Sequence, residues 1–224
     1  MIRSWGLLNE SAYPDDPSRQ GIPHPGFFII SRDGIVAEKH FEESFRERHS
    51  ASRLVIGPTE IPGGAIEIAS DTFTLRTYPS NPEVFPGNEI GLVLDFELGE
   101  DLHAYAPGDH SYRALDVTME PSELVRFGAL TLPETKPFVF APLEETVPVF
   151  DGKFRVVQNA TLLVNELVRA MTGAEDRTIE LRGTLSYQVC SSEICYPPAQ
   201  AAVRWRFDVR PLETERVPED LRKK

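Results

Sequence analysis

Hydrophobic residues recur at every second position over much of this 224-residue chain. Ile179, Leu181, Gly183, Leu185, Tyr187 and Val189 alternate with Glu180, Arg182, Thr184, Ser186 and Gln188. Val203, Trp205, Phe207 and Val209 alternate with Arg204, Arg206 and Asp208. A period of two sends one set to the buried face of a strand and the other toward solvent. Upstream, the best alternation is Ile90, Leu92, Leu94, Phe96 and Leu98. Shorter apolar runs at 66–69, 73–78, 115–120, 147–150 and 154–163 read as further strands, separated by Pro-Gly turns at 86–87 and 107–108 and by Asp151-Gly152. Residues 165–172 predict one short helix, with Leu167, Val168 and Met171 on one side and Gly173 as its stop. Many short strands joined by turns predict a mainly β chain folded as an antiparallel sandwich.

The first quarter reads differently. Phe27 to Ile30 form a continuous apolar run, Arg32-Asp33-Gly34 a turn, and 35–41 a second strand, which together predict a β-hairpin. A helix is expected to follow, with Ser50 as its N-cap. Residues 57–64, rich in proline and glycine, read as a linker. The chain thus divides into 1–56, the linker 57–64, a sandwich at 65–212 and a charged tail at 213–224.

Composition narrows the function classes. A hydrophobic share of 41% supports one medium domain plus something smaller. The net charge of -12 and pI near 4.9 repel nucleic acid and anionic membrane, and the only basic run is Arg222-Lys223-Lys224, so neither is an expected partner. No apolar run approaches the roughly 18 residues of a membrane span, and residues 1–10 lack the apolar core of a signal peptide, so membrane insertion is not expected. His24 and His40 have no cysteine or carboxylate at metal-ligand spacing, and neither a metal nor a cofactor is expected.

The candidate chemistry lies in Tyr187-Gln-Val-Cys-Ser-Ser-Glu-Ile-Cys-Tyr-Pro-Pro198, which holds both cysteines. Four residues separate Cys190 from Cys195, so a hairpin or tight loop can join their sulfurs in a reversible disulfide. Cys190 falls in the polar set of its strand, and that register predicts a thiol pointing away from the core and open to solvent. Pro197 and Pro198 interrupt pairing before the next strand. Nothing basic lies inside the loop, and Glu193 disfavours a neighbouring thiolate, so the pair is expected to exchange mainly inside a docked complex. Tyr187 and Tyr196 flank the pair and are expected to pack around the sulfurs. From the residues alone, a redox-active pair and a purely structural bridge both remain open.

The run YQVCSSEICYPP with its flanking strands resembles the redox-active segment of the N-terminal periplasmic domain of the thiol-disulfide interchange protein DsbD. The likeness extends from about 66 to 212, with weaker echoes in Leu102-His-Ala-Tyr-Ala-Pro-Gly108 and Phe150-Asp-Gly-Lys-Phe-Arg155. It implies an immunoglobulin-like β-sandwich, an extracytoplasmic location, and an oxidoreductase of the protein-disulfide reductase type. Such a domain relays electrons between a thioredoxin-like or transmembrane thiol-disulfide partner and other thiol proteins. The resemblance also implies Cys195 as the attacking thiol, Cys190 as the resolving one, and an aromatic-bearing shielding loop, for which Phe138 and Phe140 are the candidates. The family's acidic cluster near the pair has no matching motif here.

Residues 1–56 resemble the C-terminal half of a thioredoxin-like fold, of the redoxin kind found in the alkyl hydroperoxide reductase and thiol-specific antioxidant family. That resemblance makes Pro25 a candidate for the cis-proline beside the reactive cysteine. The cysteine-bearing half has no counterpart here, so the segment is expected to be a truncated remnant, completed by upstream sequence or another chain. The alternative functions are a non-catalytic interaction module with a structural disulfide, or an accessory domain of a redoxin-type peroxidase.

Overall fold

A computed structural model describes residues 7–8, 23–24, 26–31, 33–41, 48–49, 64–140 and 145–210. The expected hairpin is present as β1 (Gly26–Ile30) and β2 (Val36–Phe41), antiparallel, with Gly34 at a positive φ of 79° in the turn. That conformation is open to glycine at little cost. The strand β3 (Arg48–His49) then runs parallel to Asn88 and Glu89 in the main sheet. Pro25, the helix expected from Ser50, residues 57–63 of the linker and the tail at 213–224 lie outside the described residues.

Alternating sequence becomes layered strands. In chain order these are β4 (Ile66–Ala69), β5 (Phe73–Pro79), β6 (Glu83–Val84), β7 (Asn88–Leu98), β8 (His103–Tyr105), β9 (Asp116–Met119), β10 (Val125–Thr131), β11 (Lys136–Phe140), β12 (Glu145–Asp151) and β13 (Lys153–Leu162), then β14 (Thr178–Tyr187), β15 (Val189–Cys190) and β16 (Ala199–Val209). One sheet has the order β10-β13-β7-β5-β4, with β3 against β7, and a second has the order β6-β16-β14-β9. Their facing side chains, among them Leu75, Leu92, Leu94, Leu181, Leu185, Val203 and Trp205, form the main core. Each such large apolar side chain contributes roughly 1.5–3 kcal/mol by leaving water. Two polar links cross between the layers. Trp205 Nε1 donates to the Val93 carbonyl at 2.9 Å, and Thr77 Oγ1 donates to the Arg204 carbonyl at 2.7 Å. Both donors are buried, so leaving either unpaired would carry a desolvation cost.

The short helix α1 (Glu166–Met171) forms where the pattern placed it. Asn165 caps it, its side-chain oxygen accepting from the Val168 N–H at 2.9 Å, and Glu166 complements the N-terminal dipole. Val168 is buried, whereas Leu167, expected on the same apolar side, stays exposed.

A third sheet, β11-β12-β8-β15, positions the cysteines. It is covered on both faces, which its alternation explains. Ala104, Phe150 and Val189 point into the main core, while their neighbours Tyr105, Val147, Val149 and Cys190 form a second, smaller cluster. Five strands were not expected from the sequence, among them β3 and β6, which at two residues each are too short to show a period. β8 is only three residues long and buried throughout, so it shows no alternation. β10 carries an irregular register between Phe127 and Leu130, which breaks its period. β11 contains Pro137, tolerated because this strand lies at the sheet edge.

Candidate functional site: the cysteine hairpin

β14 and β16 pair along their whole length, from Thr178 with Asp208 to Tyr187 with Ala199, and residues 188–198 leave that sheet as an excursion. The strand breaks at Gln188, and Val189–Cys190 joins β8 in the third sheet. The chain then reverses at Ser191 to Ile194. The Ser191 N–H donates to the Ile194 carbonyl at 2.8 Å, and the Tyr196 N–H donates to the Val189 carbonyl at 3.0 Å. Ser191 Oγ closes the turn by accepting from the N–H groups of Glu193 at 3.1 Å and Ile194 at 3.0 Å.

These bonds bracket Cys190 and Cys195 and make them an antiparallel pair without direct backbone hydrogen bonds, the register that brings side chains closest. Their Cα atoms are 4.1 Å apart and the sulfurs form a disulfide. The two sulfurs see different surroundings. Cys190 is 0% exposed, within the cluster of Tyr105, Val147 and Val149, with Phe138 and Tyr112 packed on it. Cys195 lies on the exposed strand of the hairpin. The expected solvent access of Cys190 is therefore corrected. Its side chain does turn away from the main core, but the outer face of the third sheet has an apolar cover of its own.

Aromatic side chains surround the bridge. The Tyr105 hydroxyl lies 3.6 Å from Cys195 Sγ, and since a disulfide sulfur carries no proton the hydroxyl is the donor. The Tyr105 ring stacks on Tyr112 at 4.1 Å, and Tyr112 donates to Glu145 Oε2 at 3.0 Å. Burial, with Tyr112 and the Glu145 carboxylate nearby, pushes the Tyr105 hydroxyl up to about 12, so it keeps its proton through the neutral range. The hydrogen bond to Glu145 and then burial raise Tyr112 as well. His103 is opposite Cys190 in the β8–β15 ladder and is 4% exposed. Its ring packs against Phe138 at 4.0 Å and edge-on to Tyr105 at 5.4 Å. Burial lowers the imidazole more than the neighbouring Asp151 carboxylate raises it, which leaves it neutral at neutral pH.

The other expected site residues are placed as follows. Phe138 packs on the cluster that holds Cys190, while Phe140 is half-buried two residues further along β11. Glu193 is exposed at the turn. Tyr196 is exposed, and its contribution is through the backbone, its carbonyl accepting from Gln188 Nε2 at 3.2 Å. Tyr187, expected beside the sulfurs, instead packs in the main core, edge-on to Phe73 at 5.0 Å, because it belongs to the inward set of β14. His103, Tyr105, Tyr112 and Glu145 were missed as site residues. The first two lie within the Leu102–Gly108 echo. Nothing local to Tyr112 or Glu145 signals their proximity to the bridge.

Among the described residues no group of histidine, cysteine and carboxylate side chains is arranged to hold a metal ion, and no helix is long and apolar enough to cross a membrane.

Comparison with known proteins adds a family. The family model described as thiol:disulfide interchange protein DsbD, N-terminal, matches residues 76–205. The segment at 1–56 lies outside that match. No curated protein matches the chain in sequence. Among solved structures, the N-terminal periplasmic domain of ScsB from Proteus mirabilis is 15% identical with a TM-score of 0.44, over 67% of this chain and 53% of that one. The chain thus spans about half the length of that structure. The N-terminal domain of DsbD from Neisseria meningitidis in its reduced form is 16% identical with a TM-score of 0.35, over 51% of this chain and 74% of that one. With the family match covering more than half of its length, including both cysteines, the chain belongs to the DsbD N-terminal domain family, a family of thiol-disulfide exchange modules.

Proposed function

We propose that residues 65–212 form an immunoglobulin-like, extracytoplasmic module that accepts reducing equivalents from a thioredoxin-like or transmembrane thiol partner and passes them to other thiol proteins. The carrying observation is the asymmetry of the bridge, with one cysteine exposed and the other buried. A partner thiolate attacks Cys195 Sγ, the S–S bond breaks, and its electron pair stays on Cys190 as the leaving thiolate. The partner's second thiolate then attacks the mixed disulfide. That step frees the Cys195 thiolate and leaves the partner oxidised and the module as a dithiol. In the forward transfer the Cys195 thiolate attacks an acceptor disulfide and Cys190 resolves the complex. The cover over Cys190 disfavours capture by stray thiols, while the hairpin offers Cys195 to a docked protein.

In this proposal residues 1–56 are the redoxin-like segment and take no part in exchange, since both cysteines lie at 190 and 195. The test is the reduction potential of the pair together with its exchange rate against a reduced thioredoxin-like protein. The expected result is a potential above about -300 mV and exchange accelerated by the protein over a small dithiol. A lower potential without acceleration would leave a structural bridge. Replacing both cysteines by serine separates the same readings. Closing so short a loop stabilises by only about 2 kcal/mol, so exchange is expected to vanish with a modest change in Tm.

A further inference from the structure

The ladders of the third sheet set three side chains in one row. Asp151 of β12 is directly opposite His103 of β8, and His103 is directly opposite Cys190 of β15. Side chains opposite one another across antiparallel strands share a face, with Cβ atoms about 4.5–5.5 Å apart. A carboxylate, an imidazole and a sulfur therefore stand side by side. His103 Nε2 is buried and has no hydrogen-bond partner among the described residues, an arrangement that packing alone does not call for. The row borders a cleft of about 650 Å³ lined by His103, Phe138, Asp151 and Ser192.

We propose that His103 is the proton donor and acceptor for the Cys190 sulfur, with Asp151 as its positioning residue. The inference rests on the exchange function proposed above. When a partner thiolate attacks Cys195 and the S–S bond breaks, the electron pair moves to Cys190, whose thiolate forms with no water contact. An anion in that apolar setting is costly unless neutralised. His103 in its imidazolium form gives it a proton and becomes neutral, then regains one from solvent through the cleft. In the reverse step neutral His103 takes the proton of the Cys190 thiol, and the thiolate attacks the mixed disulfide. In the first direction the electrons come from the partner dithiol, which ends as a disulfide; in the reverse they come from the Cys190–Cys195 dithiol, which re-forms its disulfide as the acceptor is reduced.

The groups that face His103 favour this role. Asp151 on β12 supports the imidazolium, and Lys136 on β11 is tied to Asp151 at 2.5 Å. Glu100 and Asp101, from the turn before β8, add negative charge around the cleft. Tyr105 on the same strand keeps its proton and adds no charge. Burial holds His103 below its ordinary range, so the imidazolium is a minor species at neutral pH and gives up its proton more readily than a free imidazolium.

The test is the pH dependence of reduction of the full chain by dithiothreitol, with rates corrected for the reagent's thiolate fraction. In the wild type the corrected rate is expected to rise as pH falls through the His103 titration below 6.5. His103→Gln is expected to flatten that rise and slow reduction at least tenfold, within the usual range for positioned proton transfer. His103→Phe, which keeps an aromatic ring in the cover, is expected to do the same. Asp151→Asn is expected to move the inflection to lower pH. If both His103 variants keep the wild-type profile, or lose Tm while the shape of the profile persists, His103 only packs and the inference is overturned. Wild-type protein that fails to exchange with any dithiol would instead overturn the exchange function.

Discussion

The Tyr105 hydroxyl lies 3.6 Å from the Sγ of Cys195, the exposed cysteine of the bridge. It stays protonated, so after reduction it remains a donor for the Cys195 thiolate. Tyr105→Phe keeps the ring that stacks on Tyr112 and removes the hydroxyl, with its contacts to Cys195 Sγ and Tyr112. Exchange at pH 7 is then expected to slow about 3- to 10-fold, the equivalent of a hydrogen bond worth ~1 kcal/mol, with little change in Tm. Stopped-flow rates with a reduced thioredoxin-like protein check this, and an unchanged rate would give the hydroxyl no part in exchange. At this scale the sequence showed the two cysteines and their spacing, because they are the only pair and their neighbours are distinctive. The burial of Cys190 was not legible. Alternation tells which side of a strand a residue takes, and here the far side is covered by Tyr105, Val147 and Val149 from strands distant in sequence.

At the scale of elements, the β11–β12 hairpin packs Phe138, Val147 and Val149 in the cluster that holds Cys190, and we take it as the proposed cover over the bridge. Ile194, 62% exposed beside Cys195, is an apolar group left to solvent next to the bridge, and Val139, 65% exposed, is another on the β11–β12 hairpin. Phe138→Ala is expected to quicken reduction by small thiols several-fold while partner-driven exchange changes less, since a docked protein displaces the cover in any case. Reduction rates with glutathione and with a thioredoxin-like protein give the two numbers, and equal insensitivity of both would remove the cover role. Long strands such as β7, β14 and β16 were legible because their period is sustained, and the short helix α1 because its apolar side and its glycine stop agree. β8, β10 and β11 were not, because three residues, an irregular register and a proline erase the period.

At the scale of the molecule, two sheets packed through Trp205, Leu92, Leu94 and Leu185 form the scaffold, and a third sheet on their flank carries the chemistry. The layered, mainly β architecture followed from alternation, but the sheet switch at Gln188, which lifts the cysteines out of the β14–β16 ladder, depends on a pairing with β8 that no local pattern encodes. The central claim is that the exposed cysteine reacts and the buried one resolves. The most direct measurement is covalent trapping of single-cysteine variants by a thioredoxin-like protein whose own resolving cysteine has been replaced, followed on non-reducing gels. Cys190→Ser, which leaves Cys195, is expected to form the mixed disulfide at least about tenfold faster than Cys195→Ser, in keeping with the dependence of exchange on access. Equal trapping of both variants, or faster trapping of Cys195→Ser, would contradict the account.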